Sequence, residues 1–296
     1  MILVVGGTGA LGSRIARQLK ARAVPFRALV RSASDTRELE AMDIDLVSGD
    51  LGDRSSLTSA LAGVHTVITT ATAISRALAG DPSATIENVD ARGNTNLVEG
   101  AESAGVERFV FVSFPISPTL ERSPLGAAKR RAERRLTESP MREVIVKPEM
   151  FQEVWLSKIV GLNWEAGKVR IFGKGETPNA YVAIDDVATA TVRLALHDDP
   201  PRQVAFGGPE ALTRKQVVEQ FEQGTGRPMK SKRVPRVVLR GGSTMLRRLK
   251  PVEASLMALS LEADTQSIPL TADPLRELGI DPRPASVYIH ELVRSA

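Results

Sequence analysis

Cysteine is absent from the 296 residues, which excludes disulfide bonds and thiolate metal sites and makes a cytoplasmic setting the default expectation. No other metal site is expected. Aromatic residues are scarce, with two Tyr, two Trp and eight Phe. Few side chains are therefore left to serve as a phenolic acid or as a base-stacking platform, and direct nucleic-acid binding is not expected. No apolar run reaches the eighteen or so residues that a membrane-spanning helix needs. Met1 leads directly into a strand pattern with no basic segment before it, so no signal peptide is expected either. Charge of one sign is also limited: the net +4 suits an anionic ligand but is too mild to imply nucleic acid.

What the chain does have is alternation. Apolar runs at Ile2–Val5, Phe26–Val30, Ile44–Val47, Thr66–Thr69, Phe109–Ser113 and Glu143–Lys147 predict strands. Amphipathic stretches at Leu11–Lys20, Arg54–Leu61, Ala84–Ala104 and Leu125–Thr137 predict the helices between them. This rhythm reads as βαβ units and hence an α/β protein with a doubly wound parallel sheet. Beyond Pro148 the pattern predicts a helix over Phe151–Val160 and a strand over Val169–Phe172. A strand and helix follow in AYVAIDDVATATVRLAL, then a strand over Gln203–Phe206 and a helix over Thr213–Gln223 with Thr213 as its N-cap. The last seventy residues read as helical stretches with basic patches, RPMKSKRVPR and RRLK. The expected division is a cofactor domain over 1–150, with strand and helix returns from about 180–206, and a smaller region over 151–296.

The opening ILVVGGTGALGSRIARQL places Gly6, Gly9 and Gly12 between a strand and a helix. Such glycines give a tight turn, close approach to a pyrophosphate, and close helix–strand packing, while the helix N-terminus faces the anion. Thr8, Ala10 and Leu11 share that turn and are expected at the cofactor. At the end of the second strand, where a carboxylate selects NAD(H), stands Arg31. A guanidinium there favours NADP(H), with NAD(H) the lesser expectation; the alternative is a solvated Arg31 with Asp35 at the ribose. In SGDLGD, Asp50 is expected at the adenine amino group with Leu51 over the ring, and a plain turn or N-cap role competes for it. Thr70, Ala71 and Thr72 follow the fourth strand, where small residues let a cofactor pass close to the backbone.

GGTGALG, GDLGD and ENVDARGNTNLVEGAESAGVERFVFVS together resemble the short-chain dehydrogenase/reductase superfamily, in its atypical NmrA-like, isoflavone-reductase-like and NAD(P)H:quinone-oxidoreductase-like branch. The resemblance continues through VIVKPEMFQEVW, similar to the family's Arg-Pro-x-x-Phe segment with Lys147 in place of Arg, and covers roughly residues 1–227. It implies a Rossmann-type cofactor domain with a smaller C-terminal substrate region, and cofactor contacts at Lys129 and Pro148. Typical members carry Ser after the fifth strand and then Tyr-x-x-x-Lys. Here Ser113 and Lys129 are present, but Leu125 stands four residues before the lysine. Tyr181 reads as a core residue and Tyr288 as peripheral, while His65, His197 and His290 fall away from the expected cleft.

Lys129 then has three open roles: holding the ribose, acting as general acid, or joining the charge run that continues through Arg135. Phe114, Met150, Phe151, Trp155 and Phe172 are expected at an apolar substrate pocket, with plain packing the alternative for each. Two functions follow from the resemblance. One is an NADPH-dependent reductase of a small quinone, enone or carbonyl compound, for which the missing Tyr is least damaging with quinones. The other is a non-enzymatic NADP-sensing regulator or scaffold with a protein partner.

Overall fold

The structure is a computed structural model that describes residues 1–78, 80–265 and 270–295. The chain divides into two compact units, each assembled from three segments. The first comprises Met1–Phe114, Pro124–Lys147 and Val187–Val204; the second comprises Pro115–Ser123, Pro148–Asp186 and Ala205–Ala296.

The strands in chain order are β1 (Ile2–Val5), β2 (Phe26–Val30), β3 (Asp45–Ser48), β4 (Thr66–Thr69), β5 (Arg108–Val112), β6 (Arg142–Pro148), β7 (Leu162–Asn163), β8 (Lys168–Phe172), β9 (Pro178–Asn179), β10 (Gln203–Phe206), β11 (Leu212–Thr213) and β12 (Lys230–Val234). The helices through the first unit are α1 (Ala10–Ala21), α2 (Arg37–Ala41), α3 (Arg54–Leu61), α4 (Ala73–Leu78), α5 (Arg92–Ser103) and α6 (Pro124–Thr137). After them come α7 (Gln152–Trp155), α8 (Ile184–Leu196), α9 (Arg214–Thr225), α10 (Arg236–Met245), α11 (Pro251–Thr265), α12 (Asp273–Glu277) and α13 (Ala285–Arg294).

A seven-stranded parallel sheet runs β10-β6-β5-β4-β1-β2-β3, the Rossmann-type doubly wound order expected. The four residues of β1 and of β4 are all buried, as central strands covered on both faces require. Because β1 pairs with both β2 and β4, the chain reverses direction across the sheet at β1. Ligands of such sheets bind outside the carboxyl ends of the strands at that point.

The second unit holds a three-stranded sheet, β12-β8-β7, and the β11–β9 pair. Its core gathers Leu156, Val169, Tyr181, Val217, Phe221 and Ile289, and Trp164 stacks on Phe221 with centroids 6.0 Å apart. Thr213 caps α9 in a complete capping box with Gln216, as its position in the sequence anticipates.

Several expected elements are redrawn. The stretch predicted as one helix over 84–104 begins with a π-helical turn, Glu87–Ala91, before α5. That turn places Asp90 inward, fully buried, where its Oδ2 accepts from Ala73 N at 2.8 Å. The helix predicted over 151–160 stops at Trp155, because Ser157 turns extended (φ −130, ψ 175) and caps a separate 3₁₀ turn. The strand expected before the IDDVA helix is an isolated Phe151–Val182 bridge. The basic RPMKSKRVPR patch, read as helical, contains β12, paired in parallel with β8. Its first four residues are exposed, so the charges stud a sheet edge, where they discourage further strand pairing.

Candidate functional site

The glycine turn shows which of its glycines the fold itself demands. Gly6 has φ +85, and a Cβ there would stand 2.6 Å from Thr70 Oγ1. At Gly12 a Cβ would collide with the Gly6 carbonyl, so this glycine sets the close packing of α1 on the turn. Gly9 differs. Its backbone is ordinary (φ −84, ψ 166), and a Cβ there would meet just the Gly6 oxygen, at 3.3 Å. Gly9 is the N-cap of α1, no side chain caps the helix, and no acidic residue lies in the first turn. The N–H groups of Ala10, Leu11 and Gly12 therefore face outward from a positive helix end, with Thr8 and Ala10 exposed beside them. These residues fit a dinucleotide pyrophosphate.

The β1–β2 register sets Val5 beside Leu29, so Arg31 stands level with the glycine turn. Arg31 Nη1 lies 3.7 Å from Asp81 Oδ2. Asp35, the rival for the ribose, is gripped at both oxygens by Arg37 (2.9 and 2.5 Å), which holds its carboxyl down at about 2. Asp50 is exposed and its Oδ1 accepts from Gly52 N at 2.7 Å, while Asp53 caps α3 through Ser55 N. Leu51 is buried, and its carbonyl accepts from Asn96 Nδ2 at 2.9 Å. Thr70 Oγ1 donates to Val5 O at 3.3 Å, tying the end of β4 to that of β1. Ala71 N and Ile74 N donate to Thr69 Oγ1 and Thr72 Oγ1, which shapes the small-residue turn leading into α4.

Lys129 is not part of a wet helix face. Its side chain is 4% exposed, and Nζ lies 3.6 Å from Asp90 Oδ1. Nζ also donates to Val112 O (3.3 Å) and Ala71 O (3.4 Å) and sits 4.8 Å from the Phe111 ring centroid. The ammonium thus joins the carboxyl ends of β4 and β5. Burial lowers the Lys129 pKa, opposed by Asp90; burial raises that of Asp90, opposed by Lys129. Asp90 escaped the sequence reading, although an acid beside Val89 and Ala91, on a helix expected to turn an apolar face inward, was a signal.

Ser113 is turned elsewhere. Its Oγ donates to Glu133 Oε1 at 2.6 Å, and Lys147 Nζ reaches Glu133 Oε2 at 3.1 Å. The lysine that replaces the family's Arg is therefore buried as the counter-charge to Glu133, with Arg130 as a second one at 2.9 Å. Leu125, at the expected tyrosine position, is 4% exposed. Pro148 ends β6 at the carboxyl edge of the sheet.

Of the expected pocket residues, Phe114 belongs to the first unit and Met150, Phe151, Trp155 and Phe172 to the second. Trp155 and Phe172 share a cavity of about 20 Å³ with Tyr181, Arg214 and Asp264. Met150 packs with Trp155 against the core of the second unit, and Phe151 is half-buried at its bridge to Val182. Tyr181 is a core residue beside Arg214, and burial pushes its phenol up, the direction opposite to that of a proton donor. Glu149, which follows β6, is pushed up to about 7 by burial, and among the described residues its Oε2 has no hydrogen-bond partner. Among the described residues no group of three or more His, Cys, Asp or Glu could hold a metal, and no helix is long and apolar enough to cross a membrane.

A parallel sheet reversing at β1, an uncapped helix end over a glycine turn, and a buried lysine at the strand ends together make the Rossmann-type fold of a dinucleotide-binding protein. Residues 6–198 match the pattern of an NAD(P)H-binding family, and the chain belongs to that family. It is 29% identical over 235 residues to an NAD(P)H azoreductase of Xenophilus azovorans, covering 78% of this chain and 76% of that one. It is also 29% identical over 293 residues to the photosystem II assembly factor Ycf39 of a Synechocystis species, covering 95% and 86%. In fold it matches the NADPH complex of the NADPH-dependent quinone oxidoreductase QOR2 of Escherichia coli, with a TM-score of 0.75, 19% identity and 99% of both chains covered.

Proposed function

We propose that this chain is an NADPH-dependent reductase of small electrophiles, with quinones the favoured class and enones or simple carbonyl compounds beside them. The observation that carries the reading is the buried Lys129 ammonium at the carboxyl ends of β4 and β5. In this assignment the turn from Gly6 to Gly12 holds the pyrophosphate, Arg31 the 2′-phosphate, and Asp50 and Leu51 the adenine. Thr70, Ala71, Thr72, Lys129 and Pro148 line the nicotinamide end. The bound cofactor supplies a hydride. Lys129 supplies positive potential where an oxyanion develops, and its lowered pKa brings proton donation nearer to neutral pH. A quinone needs little more, because its reduced anion is a stable product that water protonates, so Leu125 in place of tyrosine is least costly there. Ser113 acts as a positioning residue, since its hydroxyl is given to Glu133. Phe114, which follows β5 in the unit that carries Lys129, is the candidate for apolar contact with the acceptor.

The test is NADPH consumption against a panel of quinones and enones, with Lys129→Met and Leu125→Tyr alongside. Turnover with a quinone that falls sharply in Lys129→Met is expected. Micromolar NADPH binding without turnover of any acceptor overturns the enzyme reading. Leu125→Tyr needs a melting control, because a phenol in this buried position overpacks by about 1–3 kcal/mol.

A second reading, a non-enzymatic NADP(H)-binding scaffold, is favoured by one specific observation. On and just after α10, Val237, Met245 and Leu249 are 74%, 80% and 83% exposed, an apolar surface suited to a protein partner. The assembly-factor relative points the same way.

A further inference from the structure

Arg31 shares its carboxylate with a second guanidinium. Asp81 Oδ2 lies 3.7 Å from Arg31 Nη1 and accepts from Arg76 Nη2 at 2.8 Å and Nε at 3.1 Å. Asp81 Oδ1 accepts from Ser83 N at 2.9 Å and Ser83 Oγ at 2.6 Å. Arg31 enters from the end of β2, on one side of β1, and Arg76 from α4, which follows β4 on the other side. Two guanidiniums thus converge from opposite sides of the glycine turn on a single anionic oxygen. All three side chains are about a quarter exposed, so water and solutes reach them.

We propose that Arg76 is a second specificity-determining cation of the cofactor site: Arg31 and Arg76 together receive the 2′-phosphate of NADP(H), and Asp81 occupies that subsite until the phosphate displaces it. This rests on the NADPH reading above and extends it to two residues that the sequence reading did not select. Carboxylate and phosphate oxygens suit the same guanidinium fork, so a site that seats one seats the other. The two contacts of Asp81 are unequal. Arg76 makes two hydrogen bonds, whereas Arg31 stands at 3.7 Å without one, so the contact to Arg31 yields first. Two guanidiniums and one carboxylate leave a single net positive charge. A 2′-phosphate, carrying about −1.5 to −2, can outcompete a carboxylate there, while the 2′-hydroxyl of NADH cannot. Asp81 thereby acts as a threshold that a dianion crosses.

The experiment is calorimetric titration of 2′,5′-ADP, 5′-ADP, NADPH and NADH into the full chain and its Arg31→Ala, Arg76→Gln, Arg76→Lys and Asp81→Asn variants. Arg76→Gln is expected to weaken 2′,5′-ADP and NADPH about ten-fold while 5′-ADP and NADH stay within about two-fold. Arg76→Lys, which keeps the charge and loses the fork, falls between and decides the matter if Arg76→Gln melts early. Asp81→Asn is expected to tighten NADPH about three-fold or more and to leave NADH unchanged. If Arg31→Ala abolishes the preference for the 2′-phosphate and neither Arg76 variant alters it, this proposal is overturned and the NADPH reading stands. If none of the three alters it, both fall. Equal weakening of NADPH and NADH in Asp81→Asn also overturns the proposal, since Asp81 would then merely brace its loop.

Discussion

Lys129 Nζ and Asp90 Oδ1 face each other at 3.6 Å with 4% and 0% of their side chains exposed. A lone charge at either place would be intolerable, so each residue is the condition for the other. Lys129→Met alone is expected to lower the unfolding free energy by about 3–5 kcal/mol, because it strands a buried carboxylate. The Lys129→Met/Asp90→Asn double variant should recover a good part of that loss. Urea denaturation of the four proteins in a double-mutant cycle checks it, and strict additivity would refute the coupling.

The glycines of the first turn should separate by function. Gly6→Ala and Gly12→Ala are expected to destabilise the fold, one through its left-handed backbone and the other through collision with the Gly6 carbonyl. Gly9→Ala should destabilise the fold less than either, since its methyl group presses on the Gly6 oxygen alone, at 3.3 Å, and should weaken NADPH about ten-fold or more, because it stands at the helix end that would receive the phosphate. Thermal melts paired with binding titrations give both readouts.

Stability should carry the signature of Glu149. Its carboxyl stands at about 7 when folded, against 4.5 ordinarily, so the folded chain keeps a proton that the unfolded chain releases. The contribution is fully present below pH 4.5 and is lost as pH rises through 7, with an amplitude of at most about 3 kcal/mol. Comparing Glu149→Gln with the parent between pH 5 and 8 isolates this group, because Asp90 and Asp186, which are also raised, remain in both. The parent should lose stability relative to the variant across that range.

Asp264 holds together three parts of the second unit. Its carboxylate accepts from Lys174 N (3.0 Å), Gly175 N (2.7 Å) and Arg236 Nε (2.5 Å). Its carbonyl accepts from Thr177 Oγ1 (2.7 Å) and Arg236 Nη2 (2.6 Å). Asp264→Ala is expected to cost about 3 kcal/mol and to expose the 173–177 loop to protease, leaving NADPH affinity of the remaining folded protein unchanged.

The first unit was legible because its information is local. β1, β2, β4 and β10 fall where their apolar runs begin and end, and Gly6, Gly9 and Gly12 announce both turn and helix. Asp90 was missed because a regular 3.6-residue period was imposed on a stretch that contains a π turn. The partner of Arg31 was hidden for a different reason: Asp81 lies fifty residues downstream, and nothing in its neighbourhood marks it as more than a loop acid. β12 was misread because Lys230, Ser231, Lys232 and Arg233 carry no apolar face of their own, and their strand exists through pairing with β8, sixty residues earlier.

The alternation of the chain between two units has a consequence for its synthesis. The strand that closes the edge of the seven-stranded sheet, β10, leaves the ribosome after 148–186, which belong to the second unit, are already made. The nucleotide-binding unit therefore cannot finish folding before a long piece of its neighbour has emerged, and the usual order of completed N-terminal domain first does not apply. A fragment cut at residue 150 would retain every glycine of the opening turn, yet lack the whole of α8 and the outer strand, leaving β6 as an open, apolar edge prone to aggregation.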